Sequence, residues 1–418
     1  MRMLNDSNTN WLGNIPAEWS IGRIGQLYSE RRVKVSDTEY MPLSVTMKGV
    51  VPQLSTAAKT DAHDDRKLVR KGDFAINSRS DRRGSCGISE YDGSVSLINT
   101  ILAPRKSMSP RYYNWLFHTS EFAAEFYKWG HGIVDDLWTT NWNDMKRILV
   151  PVPSLLEQER IANFLDRKCG DIDNILEKTK TSIEEYKKLK QSVITKAVTK
   201  GIRGERPMKD SGIEWIGEIP EEWTVIKFGY CAHIKSNLVD PSLYPDYPQI
   251  APDVIGKGNA KIEGEITSVK ESGIISWNHL FSKGQIIYSK IRPLLNKLII
   301  APFDGLCSAD MYPIESDLDI SFTKYMMLSS YFLEQVKQVT EDRVKMPKVN
   351  QEELSAFKVV IPPCKSEQVA IASYLDQKCS EIDSLIASKE KFITELELYK
   401  KSLIYEYVTG KKEVPSNA

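Results

Sequence analysis

The sequence predicts an α+β protein, with two mixed α/β domains joined by two long antiparallel helices that form a coiled coil, the whole carrying an internal pseudo-two-fold repeat. The first observation behind this is that the chain is written twice, and a repeat decides architecture before any single element does. Residues 11–25 read Trp-Leu-Gly-Asn-Ile-Pro-Ala-Glu-Trp-Ser-Ile-Gly-Arg-Ile-Gly, and residues 215–229 read Trp-Ile-Gly-Glu-Ile-Pro-Glu-Glu-Trp-Thr-Val-Ile-Lys-Phe-Gly. A second motif, Glu157-Gln158-x-x-Ile161-Ala162-x-x-Leu165-Asp166-x-Lys168-Cys169-x-x-Ile172-Asp173, returns with the same spacing from Glu367 to Asp383. Between the copies the sequence has diverged, with echoes such as Lys71-Gly72 against Lys283-Gly284.

The second observation is a heptad stripe after each Glu-Gln. Apolar residues fall at Leu165, Ile172, Tyr186 and Val193 and four residues later at Cys169, Leu176, Ile183 and Ala197, interrupted by Thr179 and Lys190. In the second copy Leu375, Ile382, Leu396 and Leu403 alternate with Cys379, Ile386, Ile393 and Tyr407, interrupted by Lys389 and Lys400. Each helix is expected to run about 40 residues, or roughly 60 Å. Stripes this long and narrow are expected to cover each other, with Leu165, Ile172, Leu176, Ile183, Leu375, Ile382, Ile386, Ile393 and Leu396 at the contact.

The third observation is the texture of the diverged regions, roughly 20–150 and 224–360. Short β-rich runs (Asp73 to Asn77, Gln285 to Ser289, Leu298 to Ala301, Lys358 to Ile361) are broken by Gly, Pro, Asn and Asp turns. Both regions end in proline links, Val150-Pro151-Val152-Pro153 and Val360-Ile361-Pro362-Pro363, where a helix cannot run. The divisions expected are 1–153, 154–204, 205–363 and 364–418, a domain and a helix in each half.

The chain has 418 residues, enough for two cores, and no apolar run of bilayer length. No export signal precedes the first motif, so a cytoplasmic location is expected. The six cysteines show neither Cys-x-x-Cys nor zinc spacing and are read as reduced thiols. The net charge is zero, which argues against indiscriminate coating of nucleic acid and leaves any binding to local patches.

With two Trp-x-Gly-x-Ile-Pro-x-x-Trp motifs and two helix starts of the form Pro-x-x-x-Glu-Gln-x-x-Ile (Pro153 before Glu157, Pro363 before Glu367), the chain resembles the specificity subunit of Type I restriction-modification enzymes along nearly its whole length. The resemblance implies two target-recognition domains held apart by conserved helices, each reading one half of a bipartite site in double-stranded DNA. It also implies that the helices set the spacer and that two methyltransferase subunits dock on the conserved parts. The chain would then be non-catalytic and without a cofactor of its own. S-adenosylmethionine would belong to the partner methyltransferase, and ATP and Mg to a partner motor-nuclease. Diverged domains on a repeated frame suit this role, because phosphate contacts can be generic while base contacts must differ.

No catalytic constellation is legible. Ile361-Pro362-Pro363-Cys364 lacks the acid or amide and the aromatic of an adenine methyltransferase motif, and there is no phosphate-binding glycine loop. Glu185-Tyr186-Lys187 sits on a heptad helix, and the five histidines form no spaced pair. The alternatives are a solitary DNA methyltransferase or nuclease, or a coiled-coil scaffold with no DNA role.

Basic patches are the better candidates. From Arg66 to Arg83 there are seven basic residues against two acidic ones, and Lys71, Arg79, Arg82 and Arg83 are expected to contact DNA. In the second domain Lys283, Tyr288, Lys290, Arg292 and Lys297 form a comparable stretch without acids. Two further segments, around Asn141 and from Arg343 to Lys348 including Lys345, either line the groove or pack the domain on its helix. Trp11, Trp19, Trp215 and Trp223 are read as anchors of the segment leading into each domain, and, because identical partners need identical sites, as partner-docking positions.

Overall fold

The computed structural model describes residues 2–53, 64–105, 108–132, 138–343 and 347–415. The chain divides into two compact units, residues 1–179 with 390–418, and residues 180–389. Both heptad segments are single helices, Leu155–Lys200 (46 residues) and Lys365–Val408 (44 residues), each somewhat longer than the stripe alone suggests.

In the first unit the chain enters the domain on Ser20–Arg23 and leaves it on Leu149–Val152, and these strands pair antiparallel, Arg23 opposite Leu149 and Ser20 opposite Val152. Beyond this two-stranded neck lies an antiparallel four-stranded sheet in the order Cys86–Ile88, Phe74–Asn77, Asn99–Pro104, Tyr28–Glu30. The run Phe74-Ala75-Ile76-Asn77 is buried on both faces, which is why it reads as continuous rather than alternating apolar sequence. Helices Pro110–Phe117 and Ser120–Lys128 cover the sheet with an aromatic cluster, Phe74 and Phe117 at 5.1 Å and Phe117 and Phe122 at 4.4 Å between ring centroids. Thr119 starts the second helix by accepting from the Phe122 N–H.

The second unit repeats the plan. Thr224–Lys227 pairs antiparallel with Lys358–Ile361, and the four-stranded sheet runs Leu298–Ile300, Ile286–Ser289, Met311–Ser316, Ala232–Ile234. Helices Ile320–Leu328 and Ser330–Thr340 take the place of the first unit's pair. The diverged regions therefore share one sheet order.

Each unit buries a stretch of both long helices. In the first, Ile161, Leu165, Cys169, Ile172 and Leu176 share a core with Leu403, Tyr407 and Val408, and Ile393 and Leu396 pack against it. Phe164 stacks on Tyr407 and Asp173 meets Lys400, so rising numbers on one helix meet falling numbers on the other and the pair is antiparallel. In the second unit Ile194, Ala197 and Val198 share a core with Ile371, Leu375 and Cys379, with Lys389 over the Tyr186 ring and Lys190 on Asp383. Ile183 and Ile382 are buried, and Ile386 is half-buried. The stripe pairs helix with helix and also packs each helix end on a domain. Lys190 and Lys400, which interrupt the heptads, each reach an aspartate of the facing helix at 2.7 and 2.6 Å. A single polar pair at such a position specifies register at some cost in stability.

The central helix ends at Gly201, whose φ is +76°, and an added Cβ there would lie 2.0 Å from the Arg206 guanidinium. Only glycine fits both the left-handed turn and this approach. Five of the six cysteines are buried and Cys364 is exposed, all as free thiols. Among the described residues no helix is long and apolar enough to cross a membrane.

Candidate nucleic-acid interface

In each sheet the two outer strands of the hairpin are joined by eight residues, 78–85 in the first unit and 290–297 in the second. In the first unit this connection contains a short 3-10 turn, Ser80–Arg82, and its start is clamped from outside: Arg79 bridges Thr139, and the Thr140 N–H donates to the Ser78 carbonyl at 3.0 Å. Arg82 and Arg83 are exposed at its tip, Arg82 beside Asp81 at 3.4 Å and Arg83 over the Tyr127 ring at 5.3 Å. Trp138, next to the bridging Thr139, donates its indole N–H to the Tyr127 carbonyl at 2.7 Å. Two segments expected separately from the sequence thus form one surface.

The second unit builds the same surface. Ile291 bridges Lys348, the Val349 N–H donates to the Lys290 carbonyl at 3.0 Å, and the Arg292 N–H donates to the Pro347 carbonyl at 2.9 Å. Arg292 is exposed, and Lys290 lies over the Tyr312 ring at 5.1 Å. Beside them is a cleft of about 580 Å³ lined by His279, Lys290, Tyr312 and Asn350. Burial holds the His279 imidazole below its usual range, and the Lys290 charge adds to this.

Several expected positions fall elsewhere. Tyr288 is fully buried with its hydroxyl unpartnered among the described residues, so it belongs to the core: its strand is covered on both faces. The Lys297 ammonium is turned onto the Pro252 carbonyl at 2.5 Å and the Arg343 guanidinium is held by Glu353, so both serve internal contacts. Lys71 and Lys283 precede the strands whose far ends carry the turns, and their backbone N–H groups are bonded to Asp92 and Asp304. Asn141 is a helix cap, its Oδ1 accepting from the Asn143 and Asp144 N–H groups at 2.8 and 3.3 Å. Lys345 lies outside the described residues.

The tryptophans are also redistributed. Trp11, Trp19 and Trp223 are buried, and only Trp215, 41% exposed, presents a face to solvent. Three of the four therefore pack as anchors within their own units. Trp19 donates to Glu157 at 2.8 Å with the Arg2 guanidinium over its ring at 5.2 Å. Arg206 covers Trp223 at 5.0 Å and bonds Glu367 at 2.8 Å. This Arg–Trp–Glu unit went unnoticed in the sequence, although carrying the first repeat back to Arg2, Asp6 and Ser7 against Arg206, Asp210 and Ser211 displays it.

Residues 220–398 match the family model described as the Type I restriction modification DNA specificity domain. The chain is similar to Type I restriction-modification specificity subunits, with this domain matched in its second half. Among its relatives, the Type I restriction enzyme EcoDI specificity subunit of Escherichia coli is 35% identical over 257 residues, which cover 58% of this chain and 57% of the relative. The putative type I restriction enzyme MjaX specificity subunit of Methanocaldococcus jannaschii is 28% identical over 66% of this chain and 61% of its own length. The MjaVIII specificity subunit from that organism is 24% identical over 96% and 94%. The chain therefore spans less than two thirds of the first two relatives and nearly all of the third. Among solved structures, a chain from work on complex assembly and conformational transition of the type I R-M system shares the fold with a TM-score of 0.73 at 14% identity, over 95% of this chain and 99% of that one. The HsdS subunit from Thermoanaerobacter tengcongensis gives 0.51 at 15% identity, over 95% and 98%.

Proposed function

We propose that this chain selects the DNA sequence acted on by a Type I restriction-modification complex, each domain reading one half of a bipartite duplex site. The observation that carries this is the recurrence, in both units, of one clamped basic connection at the same place in the same sheet. Exposed arginines on a fixed frame supply phosphate and base-edge contacts, and two diverged copies supply two different half-sites. The chain contributes no catalytic group. Methylation belongs to methyltransferase subunits carrying S-adenosylmethionine, two of them docking on two equivalent frames, and cleavage to a motor-nuclease using ATP and Mg.

With three of the four tryptophans buried, the helices offer the larger apolar surface for docking. Ile175 and Leu189 on the central helix lie two heptads apart, Leu385, Phe392 and Tyr399 on the C-terminal one repeat every seven residues, and all are exposed. Such second stripes are what a partner's helices would cover. Between the docked frames the helices set the spacer.

The test is domain exchange through the neck. Replacing residues 24–148, and keeping the strands Ser20–Arg23 and Leu149–Val152 that close the neck, with the corresponding region of a relative should change one half of the methylated sequence and leave the other half. Methylome sequencing reads the result, and simultaneous change of both halves would refute the assignment of one domain to one half-site.

Arg82→Ala combined with Arg83→Ala should weaken duplex binding by the methyltransferase-bound complex. If each arginine neutralises one phosphate, the slope of log affinity against log salt falls by about 1.8. An unaltered slope would remove this turn from the interface.

A further inference from the structure

The two eight-residue connections share a length, a closing hydrogen bond and a left-handed seventh residue, but no residue identity. The Asn77 N–H donates to the Ser85 carbonyl at 2.9 Å, and the Ser289 N–H to the Lys297 carbonyl at 2.9 Å. The seventh residue is left-handed in both, Gly84 with φ +75° and Asn296 with φ +44°. Each contains a 3-10 turn, at the third to fifth residues in the first (Ser80–Arg82) and one residue later in the second (Pro293–Leu295), where the left-handed Arg292 precedes it. Yet Ser78-Arg79-Ser80-Asp81-Arg82-Arg83-Gly84-Ser85 and Lys290-Ile291-Arg292-Pro293-Leu294-Leu295-Asn296-Lys297 agree at no position. The frame behaves oppositely, keeping Arg2 and Arg206, Trp19 and Trp223, and Glu157 and Glu367.

We infer that this connection is the base-reading element of each recognition domain, and that in the second domain Arg292 reads a guanine with Leu294 against a neighbouring thymine methyl. The inference rests on the DNA-reading role proposed above.

The backbone at Arg292 is left-handed, φ +44°, a conformation that glycine adopts freely and other residues adopt at a cost of about 1–2 kcal/mol. A charged side chain kept at such a position is kept for what it reaches, since glycine would fold there more cheaply. Pro293 and the bond to Pro347 fix its direction, and no ion pair occupies its guanidinium among the described residues, unlike Arg343 on Glu353. A free guanidinium fork matches the O6 and N7 acceptors of guanine in the major groove. Two residues on, Leu294 is 51% exposed at the tip of the turn, an apolar group with the chemistry of a thymine methyl contact. In the first domain the positions of Arg292 and Leu294 carry Ser80 and Arg82, with Asp81 between them and Arg83 next, a set that offers a hydroxyl, an acceptor for cytosine N4 and two forks, and so a different code.

Arg292→Gly tests this, because it removes the fork at a position whose backbone suits glycine. The full chain with its methyltransferase subunits is compared as wild type, deletion and Arg292→Gly by methylome sequencing, alongside binding to duplexes substituted one base pair at a time. Deletion should abolish the bipartite methylation, and methylation persisting without the chain would overturn the underlying role itself. Arg292→Gly should keep the first half-site and the spacer while one G·C position of the second half becomes degenerate. Discrimination there should fall about 5- to 100-fold, with an unfolding temperature no lower than wild type. An unchanged motif, evenly weakened methylation of that same motif, or complete loss of methylation by the folded variant would each overturn the reading role and leave Arg292 a phosphate contact or a bystander.

Discussion

Trp223→Ala should lower the stability of the second unit by about 3–5 kcal/mol, the range for removing a fully buried large aromatic. Trp223 sits in the core that holds Ile194, Ala197 and Val198 of one helix against Ile371 and Leu375 of the other, so its loss opens a cavity where domain and helices meet. The substitution also uncovers the Arg206 guanidinium, whose ring contact goes while its bonds to Glu222 and Glu367 stay. Thermal and denaturant unfolding of the full chain, with hydrogen exchange to assign the unit, measures it. A loss below about 1 kcal/mol would mean that the site collapses around the gap and that the tryptophan is not the anchor described.

Asp383→Ala should cost about 1–3 kcal/mol, because it leaves the Lys190 ammonium, 15% exposed, without its acceptor at 2.7 Å and frees Lys261, which bonds the same carboxylate at 2.9 Å. Burial raises the Asp383 carboxyl, but the hydrogen bonds from Lys190 and Lys261 outweigh it and hold the group below the usual aspartate range. A depressed carboxylate stabilises the fold above its unfolded value near 3.9 and loses that contribution as the pH falls through the folded value. Wild type should therefore exceed the alanine variant by a constant margin at neutral pH, and the margin should shrink below about pH 4. A double-mutant cycle with Lys190→Met isolates the pair. A margin independent of pH down to acid unfolding would show that the carboxylate's charge contributes nothing.

What could be read in advance follows from what repeats. The helices were legible because heptad spacing is a property of sequence alone, and even Lys190 and Lys400, seen only as interruptions, stand at the positions where the facing aspartates meet them. The common sheet was not legible, because the diverged domains share strand order while sharing almost no residues, and pairing between Phe74–Asn77 and Asn99–Pro104 leaves no local mark. Basic composition located the turns but could not sort their residues. Tyr288 and Lys297 lie in the same run as Arg292, yet one is covered by the second face of its sheet and the other is spent on a carbonyl. The tryptophan motifs were found as repeats, and three of their indoles are core anchors, since identity between copies records a shared core as readily as a shared partner.

The first unit is assembled from segments more than 200 residues apart, 1–179 and 390–418: the Tyr112 hydroxyl donates to the Val408 carbonyl at 2.6 Å, and the Tyr405 hydroxyl to the Trp11 carbonyl at 2.8 Å. On the ribosome this reverses the usual order, in which amino-terminal domains fold first. Residues 180–389 can close as soon as they emerge, whereas the domain translated first must wait for the last helix. At about 5–20 residues per second that delay is roughly 10–50 s. Throughout it Leu165, Ile172 and Trp11 lack the partners that bury them in the finished fold, which makes the earlier-made domain the one more in need of protection.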